Sequence, residues 1–192
     1  VKELVLVAID AAATHLFEPG IRQHVRNAIG HGATAEELME VLELTSTLGI
    51  HACNIGVPIL VEELEAAGQP IDRELDERRR EVKADFEAKR GYWHPFWDDI
   101  LALDPEFLAA YTAFSGVPWT HGVLEPKVKE MIYIAFDVAA THLYQPGLAT
   151  SAARCDRLEP LDDLVERLPL RSRAPLLGAP ALCRRLTRRI PE

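Results

Sequence analysis

The sequence predicts an all-α fold, on three observations. Period-2 alternation is scarce and β-branched runs are short, so little of the chain reads as strand. Apolar residues recur at helical spacing between recognisable caps and stops. One apolar helix pattern also occurs twice. Residues 2–20 read KELVLVAIDAAATHLFEPG and residues 129–147 read KEMIYIAFDVAATHLYQPG, identical at 11 of 19 positions at an offset of 127. A match of that length marks a duplicated module.

Taken in order, Val1–Leu16 is apolar nearly all round, as a buried helix is, and Pro19-Gly20 is expected to break it. Ile21–Ile29 is amphipathic, with Gly32 placed as its stop. Thr34-Ala35-Glu36-Glu37 opens the next helix, with Thr34 as N-cap and Glu37 at the capping-box position. Gly49, Gly56 and Pro58 interrupt the segment around His51, and a further helix is expected to run to Ala67. Asp72–Arg90 is densely charged and reads as an exposed connector helix with ion pairs between successive turns. The aromatic cluster Tyr92–Trp97 follows. Asp104-Pro105-Glu106 supplies a cap, a first-turn proline and an acid. Gly116–Leu124 reads as a loop before the second copy. The expected organisation is a first repeat over 1–69, a charged linker and aromatic segment over 70–103, and a degenerate second repeat with a basic tail over 104–192.

The second copy decays after Leu148. Weak echoes return at 162–166 and 178–182 with a shrinking offset, which fits small deletions or a local reading-frame slip in the gene. The first copy lacks the lead-in that precedes the second and there is no initiator Met, so an N-terminal segment is expected to be missing.

Composition narrows the function classes. A net charge of −9 argues against general nucleic-acid binding, although six arginines fall between Arg171 and Arg189. No apolar run reaches the ~20 residues of a membrane span, and the start lacks signal-peptide features. Three scattered cysteines, Cys53, Cys155 and Cys183, suit free thiols and a cytoplasmic location.

The repeated helix carries a polar stripe. Glu3, Asp10 and Thr14 lie at i, i+7 and i+11, close to one face at about 100° per residue, and Glu130, Asp137 and Thr141 repeat them. Carboxylates on an apolar helix need partners. They either pair with arginine or cap a neighbouring helix, or they belong to a polar site. His15 and His142 end the two copies, His24 stands on the next helix, and His51 sits at the glycine-interrupted break. Each histidine has a structural reading and a proton-transfer reading. His15, His24, His51 and Cys53 lack the tight spacing of a zinc motif, so no metal is expected, and no Cys-x-x-Cys supports dithiol redox chemistry.

The order Glu3, apolar helix, His15, then His24-Val25-Arg26-Asn27-Ala28, then Gly32-Ala33-Thr34-Ala35-Glu36-Glu37 resembles the carboxymuconolactone decarboxylase family, which includes the alkylhydroperoxidase D-like proteins. The resemblance covers residues 1–67 well, 104–148 clearly and 149–192 poorly. It implies an all-α fold assembled as homo-oligomers, commonly trimers or hexamers. The peroxidase branch carries a Glu, a Cys-x-x-Cys and a His. Here Glu3 and His24 match the Glu and the His, His15 stands at the first cysteine, and the intervening segment is two residues longer without cysteine. The resemblance therefore points to the decarboxylase branch, which acts without a cofactor. The second copy keeps Glu130 and His142 but has Ser151 at the His24 position.

The expectation is a cofactor-independent decarboxylase or lyase on a small carboxylated lactone or keto acid. His24, Glu3 and His15 would be catalytic, with His51, Asp10, Thr14 and Arg22 binding substrate and Glu130, Asp137 and His142 as second-copy equivalents. A non-catalytic ligand-binding or scaffold role is the alternative, and thiol peroxidase chemistry through Cys53 is the weakest reading. Expected partners are the carboxylate substrate and further copies of the chain, with neither nucleic acid nor membrane.

Overall fold

The computed structural model describes residues 1–158, and among them all regular structure is helical. The helices are α1 (Lys2–Ala11), α2 (Glu18–Gly30), α3 (Ala35–Ser46), α4 (His51–Ala66), α5 (Glu77–Arg90), α6 (Phe96–Leu103), α7 (Pro105–Thr120), α8 (Pro126–Asp137) and α9 (Gln145–Leu158), with a 3-10 turn at Thr47–Ile50. The arginine-rich tail, Cys183 and the echoes at 162–166 and 178–182 lie outside the described residues.

The chain forms two compact units. One comprises Val1–Thr45 and the chain from Leu124 on, and the other is Ser46–Val123. These spatial units cut across the sequence segments 1–69, 70–103 and 104–192, because each sequence repeat contributes helices to both.

In the first unit α1 packs on α2 and α8, and α8 packs on α9. Leu4, Val7 and Ala8 of α1 are buried, as are Ile132, Ala135 and Phe136 of α8. The helix read from Val1 to Leu16 in fact stops at Ala11. The backbone folds back there, with the Leu16 and Phe17 amides donating to the Ala12 and Asp10 carbonyls at 2.9 and 2.8 Å. That return places Leu16 at φ 49°, a left-handed conformation that costs an L-residue about 1–2 kcal/mol. Leu143, at φ 54°, makes the same return, and the Tyr144 amide donates to the Asp137 carbonyl at 2.8 Å. Pro19 and Gly20 do not break a helix but lie in the first turn of α2, where proline's missing N–H costs nothing. The capping box forms as the residues imply. The Glu37 amide donates to Thr34 Oγ1 at 3.1 Å, and the Thr34 amide donates to Glu37 Oε2 at 2.8 Å. A buried ion pair, Lys129 Nζ to Glu40 Oε1 at 2.7 Å, ties α8 to α3, and Glu40 Oε2 accepts the Leu124 amide at 2.8 Å.

The second unit has its own core of Ile50, Val82, Phe86, Trp97, Ile100, Leu101 and Leu108. The charged segment is therefore more than a solvated connector. Val82, Phe86 and Arg90, at i, i+4 and i+8, bury one face of α5. The Arg90 guanidinium lies 5.4–5.9 Å from the ring centroids of Phe86, Tyr92 and Trp119, near enough for cation–π attraction. Gly56 and Pro58 do not interrupt α4, which runs through them. The loop expected at Gly116–Leu124 is helical to Thr120. Gly116 serves packing instead, since an added Cβ would lie 3.3 Å from the Lys89 side chain of α5. By length and composition alone, the helical stretch Ala35–Ala66 could cross a membrane, because no Asp, Glu, Lys or Arg lies between Glu43 and Glu62. A core helix of a soluble protein passes the same test.

Candidate functional site

Two helices build the polar cluster of the first unit. On α2, His24 and Asn27 stand at i and i+3 and so share a face. On α1, Glu3 and Asp10 are two helical turns apart on the face that meets α2. His24 Nδ1 lies 2.8 Å from Glu3 Oε2, and Asn27 Nδ2 donates to the same oxygen at 3.0 Å. Asp10 flanks the other side of the ring, with Oδ2 3.8 Å from His24 Nε2 and Oδ1 3.7 Å from His15 Nε2. The His24 side chain keeps 25% of its surface exposed and Glu3 only 15%, so the pair is sheltered but reachable.

The hydrogen bond from His24 holds the Glu3 carboxyl below its ordinary 4.5. Burial opposes this, and Asn27 and the charges of His24 and Lys2 reinforce it. Glu3 is therefore ionised at neutral pH and can only accept, which assigns the proton of this bond to His24 Nδ1. Neutral His24 then presents Nε2 as its basic nitrogen. The stability that this pairing adds is present above the ordinary Glu range and is lost as pH falls through the lowered value.

Of the residues expected in the site, Glu3, Asp10, His15 and His24 come together. Arg22 does not, because it is exposed and donates to Glu18 Oε1 at 2.6 Å. Thr14 lies beyond the end of α1, so the helical projection that put it on the stripe does not apply. It is exposed, and its hydroxyl sits 3.4 Å from that of Thr141. His51 opens α4 in the other compact unit. Cys53 is a free thiol packed against the core of that unit, and Cys155 is a fully buried cysteine. Asn27 joins the site although the sequence reading does not single it out. The available signal was its position three residues after His24, on the same helical face.

The second copy arranges the same carboxylate differently. Glu130, 1% exposed, forms an ion pair with Arg154, Oε1 to Nε at 2.7 Å, and Arg154 stands where the first copy has Asn27. Buried Ser151 replaces His24. Burial, and secondarily the charge of Glu130, push the Asp137 carboxyl up to about 8, while burial pushes His142 down. The arginine-pairing reading of the polar stripe thus describes Glu130, and the polar-cluster reading describes Glu3.

In both copies a glycine makes room for the aspartate. A Cβ on Gly20 would lie 2.1 Å from Asp10 Oδ2, and one on Gly147 would lie 2.3 Å from Asp137 Oδ2. Each carboxyl group therefore rests against the first turn of the following helix.

No family model matches the chain, and no curated protein matches it. Among solved structures, the chain is similar to a Burkholderia xenovorans LB400 protein provisionally assigned as a gamma-carboxymuconolactone decarboxylase subunit. Identity is 47% and the TM-score is 0.81, with 96% of this chain and 75% of that one covered. Likeness in both sequence and fold over that span supports one conclusion, that the chain belongs to the carboxymuconolactone decarboxylase family.

Proposed function

We propose that the protein is a cofactor-independent carboxy-lyase acting on a small carboxylated lactone or keto acid, with His24 as its proton donor. The observation that carries this reading is the 2.8 Å contact between His24 Nδ1 and the ionised Glu3 carboxylate. In the reaction the bond to the carboxylate carbon breaks and CO2 leaves. The electron pair moves into the unsaturated lactone or carbonyl system, and carbon takes one proton from Nε2 of the His24 imidazolium. Glu3 balances the positive charge before transfer and holds the Nδ1–H form afterwards. Solvent then returns the proton. Asp10 and His15, on the far side of the ring, orient the substrate and keep the donor in place.

Gamma-carboxymuconolactone is the first substrate to try, since the similar Burkholderia protein is assigned to it. Replacing a positioned general acid typically costs ~10²–10⁴-fold in rate, so His24→Ala should lose that much CO2 release. Unchanged turnover by the variant on every substrate the wild type accepts would contradict the reading.

A non-catalytic ligand-binding or scaffold role is the second reading, and the arginine-locked Glu130 favours it for the second copy. Ligands that raise the melting temperature but are never converted would support it. We also propose that the protein works in the cytoplasm as a homo-oligomer, a trimer or hexamer. Ile55, Ile59 and Leu60 of α4 are about half exposed, an apolar face that further copies would cover. A monomer by light scattering at micromolar concentration would refute that assembly.

A further inference from the structure

We propose that Asn27 is a positioning residue that reserves the Glu3 carboxylate for His24; this rests on the lyase reading of the same site. Asn27 donates through Nδ2 to Glu3 Oε2 at 3.0 Å, on the oxygen that His24 Nδ1 also meets. Its own orientation is set from the other side, since Gln23 Nε2 donates to Asn27 Oδ1 at 2.9 Å. With its carbonyl engaged by Gln23, the amide turns its NH2 toward Glu3. The result is a directed chain, Gln23 to Asn27 to Glu3, that meets the imidazole at one oxygen. A neutral donor at this place fixes the carboxylate without cancelling its charge.

The second copy shows what a charged donor does there. Arg154, at the equivalent position, takes Glu130 into a 2.7 Å ion pair, and the histidine position holds Ser151. The relay is missing as well, because Thr150 stands at the Gln23 position and donates to the Pro146 carbonyl instead. A guanidinium there competes with an imidazole for the carboxylate with a full positive charge. The residues at the His24 and Asn27 positions together therefore set whether the repeated glutamate meets a histidine or a guanidinium.

The experiment reads the tautomer of His24, which a purely structural role for Asn27 would leave alone. Nitrogen-15 NMR of the labelled full chain, at a pH where the ring is neutral, distinguishes Nδ1–H from Nε2–H without any substrate. Wild type should be mainly Nδ1–H. Asn27→Arg should shift the ring toward Nε2–H and lower kcat by about tenfold or more while moving KM little, as expected for a lost contribution to proton transfer. Asn27→Leu removes the donor without adding charge, and should give a mixture of tautomers. Wild-type tautomer proportions in a folded Asn27→Arg variant, or in Asn27→Leu if the arginine variant does not fold, would overturn the proposal. A shifted tautomer in a protein whose wild type decarboxylates nothing would uphold the positioning role and reject the lyase reading.

Discussion

Glu3 and Glu130 occupy one position of a repeated helix, yet the first faces a histidine and an amide while the second faces an arginine. The backbones around them match, down to the left-handed leucine and the glycine beside the aspartate. The difference lies in two side chains one turn apart on the next helix, His24 and Asn27 against Ser151 and Arg154. A conserved-looking carboxylate is thus no guide to chemistry by itself. Its partner sets whether it tunes a proton donor or closes a buried ion pair.

If that contrast is right, removing the partner should cost stability in the second copy and activity in the first. Arg154→Leu takes the guanidinium from a carboxylate that is 1% exposed, and breaking a buried pair this way costs about 3–5 kcal/mol. Urea unfolding would measure it. The amide removed by Asn27→Leu, a donor to an ionised but partly exposed carboxylate, should cost less, about 1.5–3 kcal/mol, in the same assay. Equal losses in the two variants would erase the distinction.

The pH dependence sharpens it further. Between about pH 4 and 8 folded Asp137 keeps a proton that the unfolded chain has released, so this group makes stability fall as pH rises through that window and level off above it. Asp137→Asn should remove that slope, and melting temperatures across the window would show it. An unchanged slope would mean that Asp137 ionises normally.

Smaller effects are expected from the glycines. Gly20→Ala and Gly147→Ala each press a methyl against an aspartate oxygen, at about 1–3 kcal/mol. Gly147→Ala should be the worse in melting experiments, because Asp137 is 2% exposed and has less room to move than Asp10. Gly20→Ala should instead disturb turnover, by displacing Asp10 from His15 and His24. The capping box gives the smallest change, with Thr34→Ala costing about 1 kcal/mol.

The helical class, the capping box and the Asp104 cap could be read from the residues, because each depends on neighbours within one turn. Spacing puts Glu3 and Asp10 on one face, whereas the association of Glu3 with His24 is implied only by the family resemblance. What failed depended on tertiary context. Thr14 was projected along a helix that had already turned back at Ala12. Gly116 reads as a loop residue in sequence because its packing partner, Lys89, is distant along the chain. Val82 and Phe86 are sparse in the sequence of α5, and their core is completed by Trp97, Ile100, Leu101 and Leu108 of other helices. Lys2 and Lys129 match in sequence, yet the first is exposed and the second is 3% exposed against Glu40.

The most direct test sets the two glutamates against each other. Glu3→Gln and Glu130→Gln should be compared for kcat/KM on a substrate the wild type decarboxylates, with melting temperature measured on the same samples. Glu3→Gln should lose roughly 100-fold or more in kcat/KM with little change in melting temperature. Glu130→Gln should keep kcat/KM within about threefold and melt several degrees lower. Loss of turnover in Glu130→Gln with Glu3→Gln still active would contradict it.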